Sequence, residues 1–422
     1  MADYIICNPS GMNRRSASFH GKNSDGTAML TNCSIPLCDS NGNCDDEGVP
    51  EVFRRYHNWR PTHTGHSAAH HLHRLYARIA GPSEREFEYK DEDGDVVVSW
   101  EYLIPAHDPP DKLDHDNHKW VAATFVDESD CMEIGLDARR HYIKMPKMQT
   151  EHPFDKSMLA LFMADAVAGR LTSGAVPLHG PVAIRLFQEI IRLGEEYGGY
   201  STIPGNPGFN DGNLWNRLFE ILGSQTNFAN FVVAHTDINA VKGSLMGLVD
   251  VASLDRERLE ERLSTQAGTD RLLQYIRATL ALPEYMQMED ETSSDMEEGP
   301  NTKTKLNNII NGIVQQLIDA EILYEAHYHE RVSIAQFFVE WLKDFYAQVE
   351  QNASDCLTDI LAEMAKSYKD DVSEYGKRVM ESIHFFKALF RSSGFRIPTD
   401  WDIPLLKDDS EQGDDPMDED KG

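Results

Sequence analysis

The chain has no run approaching the ~18 consecutive apolar residues that a membrane-spanning helix requires. Its first residues, Met-Ala-Asp-Tyr-Ile-Ile-Cys, lack a basic segment followed by a long apolar one, so no secretory signal is read there. Cysteine is scarce: six residues, none paired in a C-x2-C knuckle. The expectation is thiols or metal ligands in a reducing compartment, cytoplasmic or otherwise intracellular, and no association with membrane. Nucleotide-binding fingerprints are missing as well. The Gly/Pro/Asn-rich segment 198–212 matches neither a P-loop nor the dinucleotide motif. Gly243-Ser244-Leu245-Met246-Gly247 lacks the G-x-S-x-G spacing of a nucleophile elbow. Asp91 to Asp95 imitates the start of a calcium loop, but Val96 stands where glycine is required and Tyr102 where the bidentate glutamate belongs.

Positive charge is the other shortage. Forty Lys and Arg face seventy Asp and Glu, a formal net charge of −30. Two segments, Glu289 to Glu298 and Lys407 to Gly422, carry −12 of it. A surface this acidic repels nucleic acid at long range, so RNA contact requires a locally basic groove. One set of bases is placed to form it: Arg139, Arg140, Lys144, Lys147, Arg170, Arg185 and Arg192.

Apolar residues at 41% and charged residues at 26% are those of a globular protein. Residues 1–50, rich in Asn, Ser, Gly and Cys, read as a flexible arm. Within it Cys7, Cys33, Cys38 and Cys44, with His20, form a loosely spaced candidate zinc set. Residues 51–146 read as a small α+β region. It holds a helix over 66–80, a hairpin in which Phe87 and Tyr89 alternate before Asp93-Gly94 and Val96, Val98, Trp100 and Tyr102 after it, and strands over 120–126 and 132–136.

The remainder reads as helical. Segments 154–172, 180–197, 213–223, 225–234, 237–251, 254–265 and 269–282 form a domain over 147–287. An acidic linker over 288–302 leads to a C-terminal bundle over 303–394 and an acidic, disordered tail over 395–422. The fold class is therefore mainly α, with a small N-terminal α+β region and a long C-terminal helix. In 332–350 the apolar residues cover more than one stripe, which requires a central helix or one shared with a partner. From Leu357 to Phe390 they repeat every 11 residues. Unless Asp370-Asp371 interrupts it, that seam is a single helix reaching beyond its own domain.

Nine of the seventeen histidines fall between Arg55 and His118. On the 66–80 helix His66, His70 and His73 share one face opposite Leu72, Leu75 and Ile79. Two histidines one turn apart are a metal-ligand spacing, but Ser67 occupies the place of the zincin glutamate. Asp114, Asp116 and His118 alternate and would complete a Zn, Fe or Mn site.

Two functions follow. The first is a non-enzymatic self-assembling structural protein, most specifically a viral-type capsid or nucleoprotein enclosing RNA. It needs no cofactor and has itself as principal partner. The alternative is an intracellular metal-dependent hydrolase or oxygenase using the stretch 57–118.

Overall fold

The computed structural model describes residues 83–90, 95–107, 110, 122–128, 130–138, 147–228, 230–246, 256–288 and 304–403. The 66–80 helix, the hairpin turn at Asp93-Gly94 and most of the 288–302 segment lie outside them, as do residues 1–50 and 404–422. The disordered tail expected from 395 is corrected over 395–403, where Phe395, Ile397 and Ile403 are buried in the core. The protein is mainly α, with its few strands in the N-terminal half of the described chain.

The alternating pattern forms the expected hairpin. β1 (Ser83–Lys90) and β2 (Val96–Ile104) pair antiparallel, with Phe87 opposite Trp100. Alternation puts Phe87, Val98, Trp100 and Tyr102 on the buried face. They rest on α2 (Ile184–Tyr197) and α3 (Leu214–Leu222). Trp100 stacks between Phe87 and Trp215 at centroid distances of 4.1 and 4.8 Å, and Tyr102 stacks on Phe219 at 5.1 Å. Helix side chains also occupy the outer edge of β2: Leu103 N donates to Asn216 Oδ1 at 2.6 Å, and Asn213 Nδ2 to Glu101 O at 3.0 Å.

Four short strands form a second sheet in the order β4 (Leu136–Ala138), β3 (Ala122–Phe125), β6 (Val232–His235), β5 (Met148–Glu151). β3 and β6 run parallel and are wholly buried. The expected helix over 225–234 is thus corrected to a turn and a strand. Phe231 to Ala234 is a short continuous apolar run, for which periodicity does not distinguish strand from helix. Asn230 Nδ2 donates to Ile221 O and Asn227 Nδ2 to Glu220 O, fixing a turn where a helix would have run. The strand expected over 132–136 shrinks to β4 because Asp130 and Glu133 accept from the N–H groups of Met132 and Gly135.

Helices α1 (Lys156–Ala168), α4 (Thr236–Met246), α5 (Arg256–Leu263), α6 (Gln266–Met286) and α7 (Lys305–Tyr328) complete the body around α8 (Ile334–Tyr368). At 1.5 Å per residue α8 is ~52 Å long. Its Phe337, Phe338, Trp341, Leu342 and Phe345 are fully buried, so α8 takes the central place rather than a shared one. The 11-residue seam breaks in two. Ser373 caps α9 (Glu374–Ser393) by accepting from Gly376 N, and Asp371 accepts from Ser373 N. Val372, expected within the seam, is 84% exposed. Leu357, Leu361 and Met364 on α8, with Val379, Ile383 and Phe386 on α9, belong to one apolar core shared with Phe87 and Ile403. The surplus apolar helix surface inferred from the seam is therefore internal.

The segment 198–212 is ordered around a buried cation. Arg217 Nη2 donates to Ser201 O at 2.5 Å, Nη1 to Asp211 O at 3.0 Å and Nε to Gln316 Oε1 at 2.5 Å. Gly194 of α2 lies so close to this loop that an added Cβ would overlap Gly212 O. Gly194→Ala is expected to cost about 2 kcal/mol or more through overpacking, read from urea unfolding midpoints, with the slope of the transition unchanged.

Candidate functional site

Among the described residues, polar chemistry collects in three places. The first is the carboxyl end of the parallel pair β3/β6, the usual position of a site in an α/β sheet. His235 ends β6 and is buried. Its Nδ1 accepts from Asp237 N at 3.3 Å, and its Nε2 points toward Glu128 Oε1, 3.8 Å away. Burial lowers the His235 pKa against the raising fields of Asp237 and Glu128. Lys147, at the start of β5, has φ 66° and reaches Glu128 Oε2 at 3.8 Å, while its carbonyl accepts from Thr236 N. Arg277 of α6 lies 3.7 Å above the Phe125 ring and donates to Asp127 O and Glu133 O. Glu128 and Asp237 flank opposite nitrogens of the imidazole, so the three do not converge on a point. Among the described residues no three His, Cys, Asp or Glu side chains form a metal site. The cluster fastens the sheet to α4 and α6.

Beneath it lies a second lock. Lys242 of α4 is fully buried and donates to Glu151 Oε1 at 2.5 Å and to His152 O, with Asp155 Oδ2 at 3.7 Å. Burial also lowers the pKa of the adjacent Lys156. His152 donates Nε2–H to Gly223 O, and burial holds its pKa well below the ordinary range. Sequence reading missed this set because a lysine in a helical pattern reads as surface. Glu151 and Asp155, at the two ends of the turn ahead of α1, were the available signal.

The third place is exposed. Between α1 and α2 the chain forms an ordered loop, and two carboxylates of α8 hold it. Leu178 N donates to Glu340 Oε1 at 2.8 Å, His179 Nδ1 contacts Glu340 Oε2 at 3.1 Å, and Ser173 N donates to Asp344 Oδ2 at 2.8 Å. Against the upward push of partial burial, the donors from Leu178 and His179 hold the Glu340 carboxyl below its usual range. The loop presents Val176 and Leu178 to solvent, 83% and 89% exposed.

Beside α2 the proposed basic residues divide. Arg185 and Arg192 converge on Tyr328: the Arg185 guanidinium lies 3.8 Å above its ring, and Arg192 Nη2 donates to its hydroxyl at 3.1 Å. The exposed rings of Tyr197 and His327 continue this surface, 5.5 Å apart, with His327 4.7 Å from Tyr328. Arg192 also pairs with Glu189 and Glu196. Arg170 instead lies 3.7 Å from the buried Asp165, which accepts from Trp341 Nε1. Lys147 belongs to the His235 cluster. Arg139, Arg140 and Lys144 lie outside the described residues, as do His66, His70, His73, Asp114, Asp116 and His118. So do Cys7, Cys33, Cys38, Cys44 and His20. Cys131 and Cys356 are buried and disulfide-bonded, which corrects the expectation of thiols or metal ligands at those two positions.

No protein-family model, no curated protein and no solved structure matches this chain. No helix among the described residues is long and apolar enough to cross a membrane.

Lys242→Ala leaves two carboxylates without their buried cation and is expected to cost about 3–5 kcal/mol, measured by urea unfolding. His152 binds a proton less readily folded than unfolded. Its contribution to stability is complete above the unfolded value of ~6.5 and is lost as pH falls below it. The stability difference between wild type and His152→Gln should therefore shrink from pH 7.5 to pH 5.5. A difference that is constant across that range would refute the assignment.

Proposed function

We propose that this chain is a non-enzymatic, self-assembling structural protein, in its most specific form a coat or nucleoprotein that encloses RNA. The observation that carries the reading is the loop between α1 and α2. Hydrogen bonds donated by loop N–H groups to two α8 carboxylates hold Val176 and Leu178 in water, where apolar side chains gain nothing in a monomer. A fixed and exposed apolar pair of this kind is what a contact between copies would bury. The His235 and Lys242 clusters tie elements together, as a scaffold requires.

Support for RNA comes from the surface around Tyr328. Tyr197 and His327 supply exposed rings, and Arg185 and Arg192, gathered on Tyr328, supply cations, the combination on which single-stranded bases stack. The net charge of −30 opposes contact with phosphates, so binding in this reading rests on the two arginines and the rings beside them.

The C-terminal helices are not the contact in this reading. α7, α8 and α9 supply much of the core, so truncation at Lys303 would unfold the chain rather than separate copies.

Full-length protein at physiological salt is expected to scatter light as an oligomer, with nucleic acid co-purifying. Tyr197→Ala should weaken binding of a labelled oligouridine by roughly tenfold, the effect of losing one stacked base. A monomeric mass with no nucleic acid would refute the reading. One equivalent of tightly held transition metal in that preparation would favour the metal-enzyme alternative over residues 57–118.

A further inference from the structure

We propose that Cys131 and Cys356 each form a disulfide with one of Cys7, Cys33, Cys38 and Cys44, so that two covalent bonds tie the segment 1–50 to the helical body. The inference is independent of assembly and of RNA.

Both cysteines are disulfide-bonded and buried, 7% and 1% exposed. They stand on opposite sides of α6. Cys356 of α8 meets the Tyr275 hydroxyl, with Sγ 3.7 Å away. Cys131 belongs to the turn between β3 and β4, whose Asp127 O and Glu133 O accept from Arg277. Side chains two residues apart on a helix point about 200° apart, so Tyr275 and Arg277 leave α6 in opposite directions. Glu284, two turns beyond Arg277 on the same side, accepts from Leu136 N, which puts β4 and its turn together on that face. A helix with its side chains is about 10–12 Å across, whereas a disulfide requires Cα atoms within about 7 Å. Cys131 and Cys356 are therefore not joined to each other. The chain holds six cysteines, and the remaining four are Cys7, Cys33, Cys38 and Cys44.

Two consequences follow for the protein's chemistry. The four-cysteine zinc set is dismantled, because two of its thiolates are consumed. Each bond forms when a pair of thiols passes two electrons and two protons to an oxidant of the disulfide class, which leaves as two thiols. Such oxidants are maintained in secretory, periplasmic and extracellular spaces rather than in a reducing cytoplasm. An oxidising compartment thus replaces the reducing one that scarce cysteines had suggested. Burial of both sulfurs marks the bonds as structural rather than catalytic.

The test maps the bonds of full-length protein made in an oxidising secretory compartment. Free thiols are blocked with N-ethylmaleimide before unfolding, and the protein is digested without reductant and sequenced by tandem mass spectrometry. Cys131 and Cys356 should each be found joined to a cysteine of residues 1–50, and reductant should release both links. Cys131→Ser should lose its own link and keep that of Cys356. A direct Cys131–Cys356 bond overturns the inference, as does recovery of both cysteines as blocked thiols. A dimer that only reductant separates, with Cys131 or Cys356 at the junction, places the partner cysteine in another copy and also overturns it. The wild-type map decides the matter even where Cys131→Ser fails to fold.

Discussion

Everything in this molecule depends on the burial of α8. Its aromatic residues cover more than one side of the helix, so most of its circumference must be buried and other helices pack on it. Phe162 and Phe154 of the α1 region pack on Phe338, and Trp341 donates to the buried Asp165. Burial pushes the Asp165 carboxyl up, and the hydrogen bonds from Trp341 and Thr172 oppose that push. One buried polar group thus registers α1 against α8, and the chain leaving α1 inherits that register.

Function in the proposed reading grows from the same helix. The side of α8 that is not enclosed carries Glu340 and Asp344, which hold the apolar loop. A flexible loop would collapse Val176 and Leu178 onto the nearest core and lose ordering entropy on binding. A clamped one has already met that cost within the fold. The buried charges at Lys242 and Arg217 act similarly at the other end. They fix the sheet and the 198–212 loop through hydrogen bonds to Glu151, His152, Ser201, Asp211 and Gln316.

Parts of this were legible in the sequence. The hairpin followed from alternation around Trp100, and α8 from its more than single-sided apolar pattern. Arg185 and Arg192 drew notice as cations in an acidic chain, although their shared partner Tyr328 lies more than a hundred residues away. The strand β6 was not legible, because four apolar residues suit a strand or a buried helix equally. Nor was the loop. Val176 and Leu178 belong to the irregular stretch that the helix patterns on either side leave over, and only long-range carboxylates make it rigid.

The sequence by itself determined that the protein is mainly helical, that the aromatic C-terminal segment is either central or shared with a partner, and that its charge opposes nonspecific nucleic-acid binding. These follow from periodicity and composition, which act over one or two helical turns. Only the tertiary structure decided that the 11-residue seam folds back on itself, that Lys242 is buried, and that Glu340 holds a loop 162 residues away. Such pairings depend on which elements meet after collapse, and local pattern carries no information about that.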